Sequence, residues 1–218
     1  MARGLFCLYL DFRTPVLYDP DSYYNIAVSG FIKKFGLHYQ FRWAQFSAFK
    51  DHFSDKDLLL HVMSLPFLYI TDNLPLAGKY SIALCAALFV AAYLFILRRY
   101  IPGRIAAAFL FFPFLSPIFS IYILELRSVT LANILTILSI YFLITRRQSW
   151  LFLVTILYTL AHISFFTIIF FAVICEALRY AFHKEFFVKN IYITAGGCVI
   201  GCLIHPNFPN NFMPLYLN

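Results

Sequence analysis

The sequence predicts an all-α fold, a polytopic helical membrane protein with an amphipathic helical loop at one membrane face. Two observations carry this class. Hydrophobic residues make up 62% of the 218 and charged residues only 12%, with a mean hydropathy of +0.78; a soluble domain carries about 25% charge. After Asp72 the apolar residues gather in long runs, and the basic residues fall in the short gaps between them, as in helices that cross a bilayer. The formal net charge of +7 would suggest nucleic acid in a soluble protein. Here orientation in the bilayer explains it, so no nucleic-acid partner is expected. Cys7, Cys85, Cys175, Cys198 and Cys202 lack zinc or disulfide spacing and read as small buried hydrophobes.

In order, the chain divides into an N-terminal segment 1–17, an acidic and aromatic block 18–72, and a transmembrane domain 73–218. The run GLFCLYL near the start is too short to span and has no small-residue cleavage site after it. Asp19-Pro20 is a helix start, with Asp as the N-cap and Pro in the first turn. Lys33 and Lys34 suit the last turn of that helix, and Gly36 can end it. Ile26, Ala27, Phe31 and Phe35 mix with Asn25, Ser29, Lys33 and Lys34 in an amphipathic helix too polar to cross a bilayer, so it is expected to lie at the interface. Trp43, Phe46, Phe49 and Phe53 suggest a second surface element. The apolar run Leu58–Ile70 is too short to span and contains Pro66.

Spans are expected over 79–97, over 105–124 with bends at Pro113 and Pro117, and over 129–145. Residues 150–178 are expected to form a hairpin of two short helices meeting near His162, because basic residues on both flanks require the chain to return. Residues 191–204 cross last, with Gly197 and Gly201 spaced for close helix packing. That makes about six membrane helices, two of them short. Arg98, Arg99, Arg104, Arg146, Arg147, Arg179, Lys184 and Lys189 then lie on the inner side. The acidic block, Glu125–Arg127, His162 and the HPNFPNN turn from His205 all fall at the outer face.

Several residues at that face could carry chemistry. Asp21, beside the hydroxyls of Tyr23 and Tyr24, could bind a divalent metal or take a proton from a substrate; equally, Asp19 and Asp21 complement the helix dipole. Asp57 and His61 stand one helical turn apart, as do Asp51 and Asp55, and such oxygen-rich sets suit Mg²⁺ or Mn²⁺ better than zinc. A solvated face countered by Lys56 is the alternative. Glu125 is the only acidic residue between Asp72 and Glu176, and a carboxylate in such a greasy stretch is functional or paired. Arg127 could pair with it or bind a phosphate. His162, beside Ser164, is either a substrate contact or a packing histidine. His205, Asn207, Asn210 and Asn211 could hydrogen-bond a sugar or simply form a turn. Neither GxGxxG nor GK[ST] occurs, so the donor is expected to be lipid-borne rather than a soluble nucleotide.

The Asp21-Ser22-Tyr23-Tyr24 motif, followed by aromatic interfacial elements and many spans with acids at the outer face, resembles the GT-C superfamily of integral-membrane glycosyltransferases. It is most similar to the catalytic subunit of oligosaccharyltransferase and its bacterial relatives. FKDHFSDKDLLLHVMSLPF, His162-Ile163-Ser164 and HPNFPNN from His205 add to the likeness. The resemblance implies inverting transfer of a sugar from a polyprenyl-phosphate donor to an acceptor at the outer face of a bacterial inner membrane. A divalent metal, Mg²⁺ or Mn²⁺, would polarise the leaving phosphate. Asp21 and Glu125 would be catalytic, and Asp21, Asp57, His61 and Glu125 would hold the metal. Tyr23, Tyr24, Arg127, His162, His205 and Asn210 would contact substrate. Glu125-Leu126-Arg127 stands where the family carries Asp-x-Asp in its second outer loop. A first span, the Trp-Trp-Asp acceptor motif and a soluble C-terminal domain are not seen, so the chain is expected to be a fragment. Protein N-glycosylation itself is therefore not implied. The alternative functions are a transporter or flippase-like protein, or a catalytically inactive fragment.

Overall fold

The structure, a computed structural model, describes residues 12–38, 46, 50, 53–110 and 112–212. The described residues are helices, 3₁₀ turns and connections, with no strand among them. The chain forms two compact units, Met1–Tyr39 with Leu60–Ile134, and Gln40–Leu59 with Leu135–Asn218. The proposed surface element around Trp43 and the Asp51/Asp55 pair fall largely outside the described residues.

In the first unit, α1 (Pro20–Phe35) has the expected bounds. Asp19 is its N-cap and accepts from the Ser22 N–H at 3.1 Å, and Gly36, at φ 80°, closes it. Only Gly tolerates that backbone freely. Its buried side is Ser22, Asn25, Ile26, Val28, Ser29 and Ile32. Polar Asn25 and Ser29 are buried, and Phe35 is exposed. Burial is tolerated because both side chains are satisfied, Ser29 donating to the Asn25 carbonyl at 3.0 Å.

The run 58–70 forms α2 (Leu58–Ile70) with Pro66 inside it. The first expected span is α3 (Leu74–Tyr100), 27 residues long. Asn73 caps it by accepting from the Leu76 N–H at 3.0 Å, and Arg98 and Arg99 occupy its last turn. α3 packs on α1, and buried Lys79 reaches from it to the Thr14 carbonyl.

The single bent helix expected over 105–124 is corrected. The chain instead makes α4 (Gly103–Phe109), a 3₁₀ turn at Phe112–Leu115, and α5 (Pro117–Tyr122). Pro113 and Pro117 lack the N–H that a continuous ladder needs. Ser116 and Pro117 together supply a fresh start, with Ser116 accepting from the Phe119 N–H at 3.3 Å. α6 (Ser128–Ile144) follows.

The second unit contains α7 (Gln148–Ala161), α8 (Thr167–His183) and α9 (Val188–Ile204). Residues 150–178 do form two helices. The break is at His162, whose backbone is extended (φ −160°, ψ 142°) and leads into a 3₁₀ turn, Ile163–Phe166. The second half runs longer than expected, ending only where Lys184 turns left-handed at φ 59°. Both α7 and α8 lie against α9. The α7 contact is close because α9 presents glycines. A Cβ on Gly197 would sit 2.9 Å from the Thr155 Cβ, and one on Gly201 would sit 2.6 Å from the Thr159 Cβ.

A charged cluster absent from the sequence reading braces the α8–α9 connection. Glu176 is fully buried and is paired with Arg179. Glu176 also accepts from Asn190 Nδ2 at 2.6 Å and from the Phe187 N–H at 3.0 Å. Arg179 in turn donates to the Leu143 carbonyl at 3.1 Å. The buried charge is therefore both paired and hydrogen-bonded, the condition for tolerating it.

By length and composition, two helical stretches could cross a membrane, Leu74–Tyr100 and Ile163–His183. α2, α6, α7 and α9 are apolar but shorter.

Candidate active site

The site in the first unit is built around a segment of main chain. Ser22 and Asn25 lie three residues apart on α1, on one face. Ser22 Oγ accepts from the Leu126 N–H at 2.7 Å, and Asn25 Nδ2 donates to the Leu126 carbonyl at 2.6 Å. Ser22 Oγ can accept because its own proton goes to Asp19 Oδ1. The amide oxygen of Asn25 accepts from His61 Nε2 at 3.0 Å. The peptide of Leu126, 1% exposed, is thus held on both sides by α1, with α2 bracing the clamp through His61.

This clamp sets the residues on either side of Leu126. Arg127 Nη2 lies 3.0 Å from Asp21 and 3.6 Å from Asp19, and Nε lies 2.7 Å from Glu125 Oε2. Three carboxylates therefore converge on one guanidinium, which also lies over the Tyr122 ring at 5.5 Å. Glu125 Oε2 and Arg127 Nε approach off the N–H line, so their pairing is ionic and neither atom makes a hydrogen bond among the described residues. Burial pushes the Glu125 carboxyl above its ordinary range; Arg127 opposes this, while Asp19 and Asp21 add to it. A buried carboxyl held this way, next to a partly exposed arginine, is chemically suited to accepting or giving a proton.

Of the residues predicted to work at the site, Asp21, Glu125 and Arg127 come together here, and His61 supports them through Asn25. Tyr23 is used structurally, its hydroxyl accepting from the Leu17 N–H at 3.0 Å, and Tyr24 is exposed. Asp57, His162, His205 and Asn210 belong to the second unit. Asp57 is buried just ahead of α2, its N–H bonded to Asp55 Oδ1 at 3.1 Å. Asn210 begins a 3₁₀ turn, Asn210–Phe212.

The second unit repeats the device of gripping a peptide from both sides. His205 Nε2 donates to the Asp55 carbonyl at 3.0 Å, and Asn207 Oδ1 accepts from the Asp55 N–H at 3.1 Å. His205 Nδ1 accepts from the Asn207 N–H at 3.1 Å, so the ring is held neutral. His162 Nδ1 likewise accepts from the Ser164 N–H at 3.1 Å. Burial lowers the affinity of both histidines for a proton. His205, Lys56, Thr159, Asn211 and Cys202 line a small cavity. The HPNFPNN turn thus has a structural task, which its sequence did not distinguish from sugar binding.

The carboxylates of Asp19, Asp21 and Glu125 are oxygen donors of the kind Mg²⁺ or Mn²⁺ takes. As they stand, they close on Arg127, and a metal ion would compete with the guanidinium for the same oxygens. Among the described residues no group of three His, Cys, Asp or Glu side chains is placed to hold a metal. Of the metal set expected, Asp21 and Glu125 are turned to Arg127, His61 is bonded to Asn25, and Asp57 belongs to the second unit.

Ser22 and Asn25 were missed as site residues because Ser22 was read only as part of the DSYY motif and Asn25 as one of the polar residues of α1. Their three-residue spacing was the available signal. No protein-family model, curated protein or solved structure matches the chain.

Proposed function

We propose that this protein is a membrane-embedded glycosyltransferase of GT-C type, using a polyprenyl-phosphate-linked sugar at the outer face of a bacterial inner membrane. One observation carries the reading. Asp21 of the DSYY motif and Glu125, a hundred residues later in an otherwise carboxylate-poor stretch, meet on Arg127. In the reaction, an acceptor hydroxyl attacks the anomeric carbon of the sugar. The new C–O bond forms as the bond to the phosphate oxygen breaks, and the phosphate leaves with the electron pair. Asp21 or Glu125 takes the acceptor proton. Arg127, 30% exposed, presents the remainder of its donor fork to the departing phosphate.

The membrane setting is supported by what the helices expose. α8 exposes Phe170, Val173, Ile174, Leu178 and Phe182, and α9 exposes Tyr192, Val199, Ile200, Leu203 and Ile204. Lipid covers such apolar surface, whereas water penalises it. Basic residues close both long apolar stretches, Arg98 and Arg99 after one and Arg179 with Lys184 at the end of the other, which supports a multi-pass arrangement with those ends inside.

A transporter or flippase-like function is favoured by one feature, the broken stretch Gly103–Tyr122, since interrupted helices line transport sites. The experiment is transfer from a polyprenyl-phosphate-linked sugar by the full-length protein in membranes, comparing Asp21→Asn and Glu125→Gln. Loss of about 10²–10⁴-fold in rate is expected for the variant lacking the proton acceptor. Wild-type transfer by both would refute the roles given to Asp21 and Glu125, and absence of transfer by the unmodified protein would refute the transferase reading.

A further inference from the structure

We propose that Arg127 is the resident cation of the acidic cluster and stands in the place a divalent metal would otherwise take. In its catalytic sense the proposal rests on the transferase reading above, but it is tested separately. Asp19 and Glu125 are each more than nine-tenths buried, and with Asp21 they place three carboxylates within 3.6 Å of one guanidinium. Such carboxylates repel one another and need a cation among them. A guanidinium supplies one that no accessible pH removes.

Arg127 is also fixed from behind. The Leu126 main chain is clamped by Ser22 and Asn25, which fixes the point from which the Arg127 side chain reaches the carboxylates. Glu125 Oε2 makes only an off-line contact with Nε. It therefore keeps lone pairs available to another cation once the arginine is gone. Arginine and metal exclude each other here: with Arg127 present the carboxylates are turned to the guanidinium, and only once it is gone are they free to turn to an ion such as Mn²⁺.

The test is Mn²⁺ binding to the purified full-length protein, read by electron paramagnetic resonance. Wild type is expected to show no saturable Mn²⁺ site sensitive to Glu125→Gln. Arg127→Met is expected to gain one, at least about tenfold tighter than any wild-type binding, and to lose it in combination with Glu125→Gln. Arg127→Lys, which keeps the charge, is expected to behave as wild type. A wild-type Mn²⁺ site abolished by Glu125→Gln or Asp21→Asn would overturn the proposal, and this arm requires no change at Arg127. So would Arg127→Met folding normally and gaining no site. Transfer assays separate the two readings. Transfer that persists in chelator supports both, and transfer restored only by Mn²⁺ refutes the resident-cation proposal alone. If no transfer occurs under any condition, the transferase reading falls while the binding measurements still decide the role of Arg127.

Discussion

Adjacent glycines in α9 are predicted to respond to the same substitution in opposite directions. A Cβ on Gly196 would meet only the Phe152 ring at 3.9 Å, an ordinary contact. Gly196→Ala is therefore expected to stabilise by up to about 1 kcal/mol, the helix-propensity difference between the two residues. At Gly201 the new Cβ would lie 2.6 Å from the Thr159 Cβ, 2.9 Å from its Cγ2 and 3.0 Å from its Oγ1. That is about 0.8 Å short of normal contact, and overpacking of this kind costs about 1–3 kcal/mol. Set against the same propensity gain, Gly201→Ala should destabilise by about 1–2 kcal/mol. Gly197→Ala, at 2.9 Å from the Thr155 Cβ and 3.1 Å from the Phe152 carbonyl, should fall between the two. The assay is unfolding in detergent micelles, followed by circular dichroism. Because the closest clash at Gly201 is with the β-carbon of Thr159, Thr159→Ala should relieve it only in part, whereas Thr159→Gly should remove it. Equal stability of Gly196→Ala and Gly201→Ala would refute the close approach of α7 and α9.

Two further predictions concern buried charge. Glu176→Ala leaves Arg179, Asn190 and the Phe187 N–H without their acceptor, and should cost about 3–5 kcal/mol. Glu176→Gln keeps one acceptor oxygen and should cost less, as the same unfolding measurement would reveal. Because His205 is held neutral, with its proton affinity lowered by burial, its contribution to stability is complete above the ordinary histidine pKa. It is lost as pH falls through the lowered value in the folded protein. The melting temperature should therefore fall on acidification, and His205→Gln should flatten that fall; an unchanged slope would show that another group governs it.

Much of the helical layout was legible because it rests on local chemistry. Asp19, Pro20 and Gly36 bounded α1 by capping, and the apolar run 58–70 coincided with α2. The stretch 105–124 was misread because hydropathy reports length and greasiness. It does not weigh the loss of two N–H groups at Pro113 and Pro117 against the fresh cap at Ser116. At the site, the rarity of carboxylates made Glu125 conspicuous, and its neighbour Arg127 came with it. The roles of Ser22 and Asn25 were not legible. Each bonds to main chain, so no complementary side chain a hundred residues away announces the contact. Glu176 was only half legible: Arg179 stands one turn on in the same helix, but its other partners, Asn190 and the Phe187 amide, carry no charge.

The grip on Leu126 has a consequence for how this arrangement could be found in other chains. Ser22 and Asn25 hold a peptide unit, so what they measure is chain phase, not side-chain identity. A one-residue insertion between Glu125 and Arg127, or between Asp19 and Asn25, would rotate a charged group out of the constellation. Residues added in the long interval separating the two would leave it in place. The device is therefore written as two short rigid phrases, Asp-x-Asp-Ser-x-x-Asn and Glu-x-Arg, separated by an interval of arbitrary length. A pattern search that fixes each phrase and leaves the interval open would find it where overall sequence similarity does not.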